Sequence, residues 1–110
     1  MSVSKETQQK IQQLQLMEQS MQQFLMQRQN FQSQLAEIDS ALKELKKSKE
    51  AYKIIGNIMV LSDNEELEKE LASKKETAEL RIKTIEKQEQ KLREKAEDMQ
   101  KQVLDEIKEQ

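Results

Sequence analysis

The sequence predicts a mainly α-helical fold in which two long helices form an antiparallel coiled coil and are joined by a short β-hairpin. Apolar residues repeat at heptad spacing in both halves of the 110-residue chain. One short central segment holds the only Gly and the only Tyr. Hydrophobic residues are 35% of the chain, charged residues are 36%, and Pro is absent. This composition indicates one extended helical domain, residues 1–110, rather than a thick globular core.

The composition also excludes most enzyme classes. The chain has no Cys and no His, which removes thiolate chemistry, disulfides, the commonest metal ligands and the usual general base at neutral pH. Carboxylates are abundant, but we expect them on helix faces open to water, where nothing shifts a pKa toward catalysis. We therefore expect no enzymatic activity, no cofactor and no metal.

Charge and hydropathy narrow the range of partners. A net charge of -2 offers no basic stripe for phosphates, so we expect no nucleic acid partner. The first residues lack the basic region and apolar run of a signal peptide, and no stretch approaches the ~20 apolar residues of a membrane span. The sequence thus predicts a soluble, cytoplasmic protein without a membrane partner.

The first helix is predicted over about residues 4–49. Steps of three and four residues from Leu14 reach a ladder of ten positions, of which only Arg28 is not apolar. The ladder is Leu14, Met17, Met21, Phe24, Arg28, Phe31, Leu35, Ile38, Leu42 and Leu45. No Gly or Pro interrupts residues 1–50, so one continuous helix is expected.

The second helix is predicted over about residues 63–108. Its ladder is weaker and consists of Leu71, Ala78, Ile82, Ile85, Glu89, Leu92, Ala96, Met99 and Val103. The run Ser62-Asp-Asn-Glu65 is typical of a capping box, in which Ser62 and Glu65 satisfy amide groups of the first turn.

The charged residues inside the two ladders form a candidate register pair. In the antiparallel alignment, Arg28 lies opposite Glu89, and an ion pair there would disfavour slipped registers at some cost in stability. The alternative is that Arg28 extends its aliphatic stem and keeps its guanidinium in water.

Residues 51–61 predict the hairpin. Two β-rich runs flank the dipeptide Gly56-Asn57, a strong signal for a two-residue turn. The pairing would place Tyr52, Ile54, Met59 and Leu61 on one face, and Lys53, Ile55, Ile58 and Val60 on the other. Both faces are apolar apart from one lysine, and a coiled coil is too thin to cover two faces and two edges. Other chains must cover them, so we expect oligomerisation; a single helix running through this segment is the alternative.

The order of these elements, with the central stretch Tyr52-Lys53-x-x-Gly56-Asn57-x-x-Val60, resembles the β-type subunit of prefoldin in its archaeal form. The architectural resemblance covers the whole chain, and the specific part is the central stretch. The resemblance implies a hexamer of two α-type and four β-type subunits. Their hairpins would associate into β-barrels, and their coiled coils would project from these barrels. It also implies an ATP-independent holdase that captures unfolded proteins and transfers them to a group II chaperonin. The absence of a phosphate-binding glycine loop agrees with ATP independence.

Apolar residues near the two termini exceed what the ladder requires and are candidates for client binding at the coiled-coil tips. Leu14, Met17 and Val103 belong to the ladder, whereas Ile11, Leu16, Leu104 and Ile107 lie off it. Exposed apolar groups on mobile ends suit weak binding of many unfolded segments. Scattered surface Leu and Ile are also normal in proteins without such a role. The rival function is a structural coiled-coil adaptor or tether that docks through its hairpin.

Overall fold

A computed structural model describes residues 3–109, which form four elements in chain order. Helix α1 spans Lys5–Lys47, strand β1 Ala51–Ile55, strand β2 Ile58–Ser62 and helix α2 Asn64–Glu109. Neither helix contains, in its described part, an apolar stretch long enough to cross a membrane. The two helices and the antiparallel hairpin between them confirm the predicted fold class.

The chain divides into two compact units. The terminal unit consists of the N-terminal part of α1, up to Arg28, and the C-terminal part of α2, from Lys83 onward. The hairpin unit is Gln29–Ile82 and contains both strands with the adjoining parts of the two helices.

Helix α1 begins at a serine cap. The Ser4 side-chain oxygen accepts a hydrogen bond from the Thr7 backbone N–H at 3.2 Å, and its carbonyl accepts one from the Gln8 N–H at 3.0 Å. These bonds satisfy amide groups that have no partner within the first turn. At the other end, Lys46 and Lys47 lie in the last turn, where positive charge stabilises the helix dipole.

Helix α2 begins one residue later than its predicted cap implies. The capping residue is Asp63, whose Oδ1 accepts the Glu65 N–H at 3.2 Å and whose carbonyl accepts the Leu67 N–H at 3.0 Å. The predicted capping box at Ser62 is therefore wrong. Ser62 is the last residue of β2 and pairs with Ala51, because continuation of the strand ladder satisfies its backbone before the helix starts.

Burial follows the heptad ladders in both units. All ten ladder positions of α1 are half-buried. On α2, the buried positions are Ala78, Ile85, Glu89 and Val103, and the ladder residues between them are half-buried. Burial that repeats every three to four residues is what a helix produces when one stripe faces a partner helix.

The hairpin has the predicted register. Tyr52 pairs with Leu61, Ile54 with Met59, and Ile55 with Ile58. Gly56 has a φ of 61°, and it alone among the described residues has a positive φ. A positive φ at the first of two central turn residues is typical of a type II′ turn, whose twist matches that of the flanking strands.

Polar contacts attach the hairpin to the helices of its unit. The Lys53 Nζ donates hydrogen bonds of 2.9 Å to both carboxylate oxygens of Glu70 on α2. This contact, assisted by the charge of Lys74, holds the pKa of Glu70 below its usual value. The Asn64 side-chain amide donates to the Ser48 carbonyl at 2.9 Å, which joins the start of α2 to the end of α1.

Candidate functional site

The hairpin presents apolar side chains on both of its faces. Seven of them are exposed, with exposed fractions from 43% for Val60 to 69% for Ile54. They are Tyr52, Ile54, Ile55, Ile58, Met59, Val60 and Leu61. Only Ala51, at the base of β1, is buried. Contiguous apolar exposure of this kind marks a surface that binds another molecule.

The backbone of the hairpin is also open to pairing. Its two strands form a two-stranded sheet with the order β1-β2 within the described residues, so each strand has one paired side and one outer edge. The Gly56-Asn57 turn is exposed as well. Additional strands could therefore extend this sheet at either edge while burying the apolar faces.

The candidate client-binding residues of the terminal unit fall into three groups by solvent exposure. Leu16, Leu104 and Ile107 are exposed, with fractions of 61%, 52% and 45%. Ile11, Leu14 and Met17 are half-buried. Val103 is 7% exposed and packs inside the unit. Only the first group is exposed, so among these seven candidates Leu16, Leu104 and Ile107 are the ones available to contact a client.

A polar cluster joins the two helices near the chain termini. We call Thr7, Lys10 and Glu106 the terminal clasp. The Thr7 hydroxyl, which is completely buried, donates to Glu106 Oε2 at 2.8 Å, and the Lys10 ammonium donates to Oε1. The Ser4 hydroxyl is also hydrogen-bonded to that of Thr7 at 2.8 Å. The hydrogen bonds from Lys10 and then Thr7 hold the pKa of Glu106 below its usual value.

Reasoning from the sequence missed the terminal clasp, although the ladders contain the signal. Steps of four and three residues backward from Leu14 reach Lys10 and Thr7, and a step of three forward from Val103 reaches Glu106. Because these positions are polar, a search for apolar periodicity stops before them. The complementary Lys and Glu at facing ladder positions would have predicted the contact.

The structure brings Arg28 and Glu89 together as the antiparallel alignment requires. Arg28 Nε donates to Glu89 Oε1 at 2.7 Å, and Nη2 reaches Oε2 at 3.4 Å. The Glu89 side chain is 8% exposed, whereas that of Arg28 is 27% exposed. The hydrogen bond and charge of Glu89 raise the pKa of Arg28. The guanidinium thus engages a nearly buried carboxylate instead of pointing freely into water.

These groups provide binding surfaces and structural ion pairs. The carboxyl groups whose pKa is shifted, Glu70 and Glu106, are shifted downward by hydrogen-bond donors, which stabilises the charged form. A general acid at neutral pH needs the opposite shift. Across residues 3–109, no three carboxylate side chains come close enough together to hold a metal ion.

We predict that the terminal clasp weakens in acid. A lowered pKa means that Glu106 contributes stability above its unfolded pKa of about 4.5 and loses that contribution as the pH falls through the lower folded value. Glu106→Gln should therefore lower the thermal midpoint at pH 7. The gap between wild type and variant should close progressively below pH 4.5. Thermal melts by circular dichroism from pH 3 to pH 7 measure this gap.

The matched control is Glu109→Gln, which removes an exposed carboxylate one turn further along α2. It should leave the thermal midpoint close to that of the wild type at every pH. A gap for Glu106→Gln that stays constant down to pH 3 would contradict the assignment of the effect to ionised Glu106.

We predict that Arg28 and Glu89 act as a pair that fixes the helix register. Arg28→Met leaves the Glu89 carboxylate nearly buried without its cation, so it should lower the unfolding midpoint more than the double variant Arg28→Met with Glu89→Leu does. The double variant should nevertheless have a less defined register, because apolar ladder residues can slip past each other.

The absence of native cysteine allows this register to be measured with paired spin labels. Gln19→Cys and Gln100→Cys place labels at exposed positions on α1 and α2 of the terminal unit. The distance distribution should be narrow with Arg28 and Glu89 intact and broader in the double variant. Equal widths would show that the apolar ladder alone sets the alignment.

Comparison with known proteins places these features in a family. The prefoldin subunit family matches residues 8–110. The prefoldin subunit beta of Archaeoglobus fulgidus is 45% identical over 93 residues, which cover 81% of this chain and 80% of that protein. The prefoldin subunit beta of Sulfurisphaera tokodaii is 45% identical over 74 residues, covering 64% of this chain and 59% of that protein.

A solved structure supports the same conclusion. The crystal structure of the prefoldin beta subunit from Thermococcus strain KS-1 superimposes with a TM-score of 0.85 and 30% identity, covering 93% of this chain and 92% of that one. Helix, hairpin and helix therefore correspond to those of a known subunit, in agreement with the resemblance carried by the central stretch. The chain belongs to the prefoldin family of chaperone subunits.

Proposed function

We propose that this chain is the β-type subunit of an ATP-independent holdase, which keeps unfolded proteins from aggregating. The observation that carries the proposal is the hairpin, which exposes seven apolar side chains on two faces. Burial of apolar surface stabilises by roughly 25 cal/mol per Å², so association through this hairpin is strongly favoured. Membership of the prefoldin family supports other prefoldin subunits as the partners that cover it.

The proposed assembly is a hexamer of two α-type and four β-type subunits. Its support is the pair of open strand edges, to which the hairpins of neighbouring subunits can add strands to build β-barrels. The partners are thus α-type prefoldin subunits and further copies of this chain. In such an assembly the apolar faces of the hairpin are enclosed, and the helices are left available for clients.

The proposed client surface lies in the terminal unit. Leu16, Leu104 and Ile107 are exposed there, and apolar side chains on a helix surface can bind many different unfolded segments without strict geometry. Several copies acting on one client would supply avidity in place of strong single contacts. We propose that the bound client is then passed to a group II chaperonin in the cytoplasm.

Replacement of the hairpin side chains should prevent assembly. Ile54→Thr with Met59→Thr changes one apolar face while keeping residues that favour strands. Native mass spectrometry of wild type mixed with an α-type subunit should give a hetero-oligomer, and the variant should remain at or near 13.0 kDa. Leu80→Ser, which alters another exposed apolar residue, on α2 in the same unit, is the control. A wild type that stays monomeric would contradict the burial argument.

Replacement of the exposed terminal side chains should impair client holding without affecting assembly. The triple variant Leu16→Ser, Leu104→Ser and Ile107→Ser removes three of the large apolar side chains exposed in the terminal unit. Light scattering of a denatured protein diluted into the assembled complex should show that the triple variant suppresses aggregation about half as well or less, because apolar contact area is lost. Native mass spectrometry should show an unchanged assembly.

A matched pair of single variants tests whether position matters. Leu16 and Leu80 are 61% and 60% exposed. Leu16→Ser and Leu80→Ser therefore make the same change at two positions of nearly equal solvent exposure. Only Leu16→Ser should weaken holding. Wild-type complex that fails to suppress aggregation at all would favour the rival function, a structural adaptor that docks through its hairpin.

A further inference from the structure

Helix α1 carries an almost uncharged stretch within the terminal unit. From Ile11 to Gln27 there are seven glutamines and one charged residue, Glu18. The segment of equal length from Gln90 to Glu106 on α2, in the same unit, carries nine charged residues. The two helices of one unit thus present surfaces of very different chemistry.

The uncharged residues include a continuous outer stripe. We call this stripe, formed by Gln12, Leu16, Gln19, Gln23 and Met26, the amide face. Its members follow one another at steps of three and four residues, so they share one side of α1. All five are exposed, and Leu16 and Met26 are 61% and 63% exposed. The half-buried ladder residues Leu14, Met17, Met21 and Phe24 lie on another side of the helix.

Helix formation and solvation do not account for this choice of residues. Gln, Glu and Lys have similar helix propensities, so the helix itself would tolerate charges at these positions. Most exposed residues of α2 in the same unit are charged, which shows that solvation of this unit is compatible with dense charge. The absence of charge around Leu16 and Met26 therefore needs another reason.

The chemistry of glutamine supplies a reason for the absence of charge. A side-chain amide carries two donors and an acceptor, as a peptide group carries a donor and an acceptor. When another molecule covers the amide face, removing a neutral amide from water costs much less than removing an ammonium or carboxylate group. Apolar contacts at Leu16 and Met26 are then not offset by buried, unpaired charge.

We propose that the amide face binds extended segments of unfolded polypeptide of either net charge, with the glutamines hydrogen-bonding peptide groups and Leu16 and Met26 contacting apolar side chains. This proposal rests on the holdase function and specifies its substrate class. The kind of molecule that binds the amide face follows from electrostatic complementarity between the two surfaces. The backbone of an unfolded chain is neutral and rich in unpaired donors and acceptors, and a surface without charge does not repel clients of either sign.

The test introduces charge on the amide face and measures which clients are lost. One triple variant carries Gln12→Lys, Gln19→Lys and Gln23→Lys, and a second carries Glu at the same positions. The control triple Gln88→Lys, Gln100→Lys and Gln102→Lys adds the same charge at exposed positions of α2 in the same unit. Each assembled complex is mixed at low ionic strength with a denatured protein of net positive charge and with one of net negative charge.

Wild-type complex should hold both clients equally well. The Lys triple on the amide face should hold about threefold less of the basic client, and the Glu triple about threefold less of the acidic one, because like charges now oppose contact. Added salt should diminish both losses. The control triple should behave as the wild type does.

Three outcomes would overturn the proposal while leaving the holdase function intact. The first is holding of both clients by both amide-face variants at the wild-type level. The second is an equal charge preference in the α2 control, which would reflect total charge alone. The third is a changed mass of the assembly by native mass spectrometry for the amide-face variants only, which would identify this face as a contact between copies of the chain. Failure of the wild type to hold either client would instead overturn the holdase function.

Discussion

The apolar side chains of the hairpin impose the constraint on which the rest of this protein depends. Seven of them are exposed in the single chain, on a two-stranded sheet with both outer edges open. A sheet of two strands is marginally stable in water by itself. Its sequence therefore needs other subunits, and the helices that flank it need not provide a core. The Lys53–Glu70 ion pair and the Asn64–Ser48 hydrogen bond instead orient the hairpin on its own unit.

The helices use polar contacts where a globular protein would use apolar ones. Four apolar residues are buried in the described part of the chain, and two of these are alanines. Thr7 and Glu89 are buried too, and each is satisfied by a partner on the other helix. Such contacts fix the alignment of the two helices more than they add net stability, since the cost of removing charges from water offsets much of their attraction. A narrow apolar stripe combined with defined polar pairs gives helices that align without a large interior.

Periodicity and turn chemistry predicted most of this fold. The heptad ladders identified the stripe that is half-buried in α1, and Gly56-Asn57 identified the turn and therefore the face of every hairpin side chain. The Arg28–Glu89 contact followed from the antiparallel alignment alone. The start of α2 was harder to predict, because Ser62 and Asp63 are both good capping residues. Strand pairing of Ser62 with Ala51 decided between them. The terminal clasp was missed since its ladder positions are polar.

The candidate binding residues were less predictable than the fold. Sequence spacing separated ladder residues from outward ones, and it correctly placed Leu16, Leu104 and Ile107 in solvent. It could not show that Ile11 would be half-buried, because side-chain burial at the edge of a ladder depends on how closely the helices approach. Client binding by any of these residues stays a prediction, since it depends on partners and on the unfolded ligand.

The scarcity of buried apolar residues has a consequence for the stability of the unassembled chain in the cell. A subunit whose exposed apolar hairpin is covered only after association is stabilised by binding its partners, and by mass action this stabilisation grows with their concentration. Its thermal stability should then rise with subunit concentration, and a newly made copy in excess of its partners would be the least stable form. Synthesis balanced with that of its partner subunits, and proteolytic removal of orphan copies, would follow from a hairpin that the single chain leaves exposed.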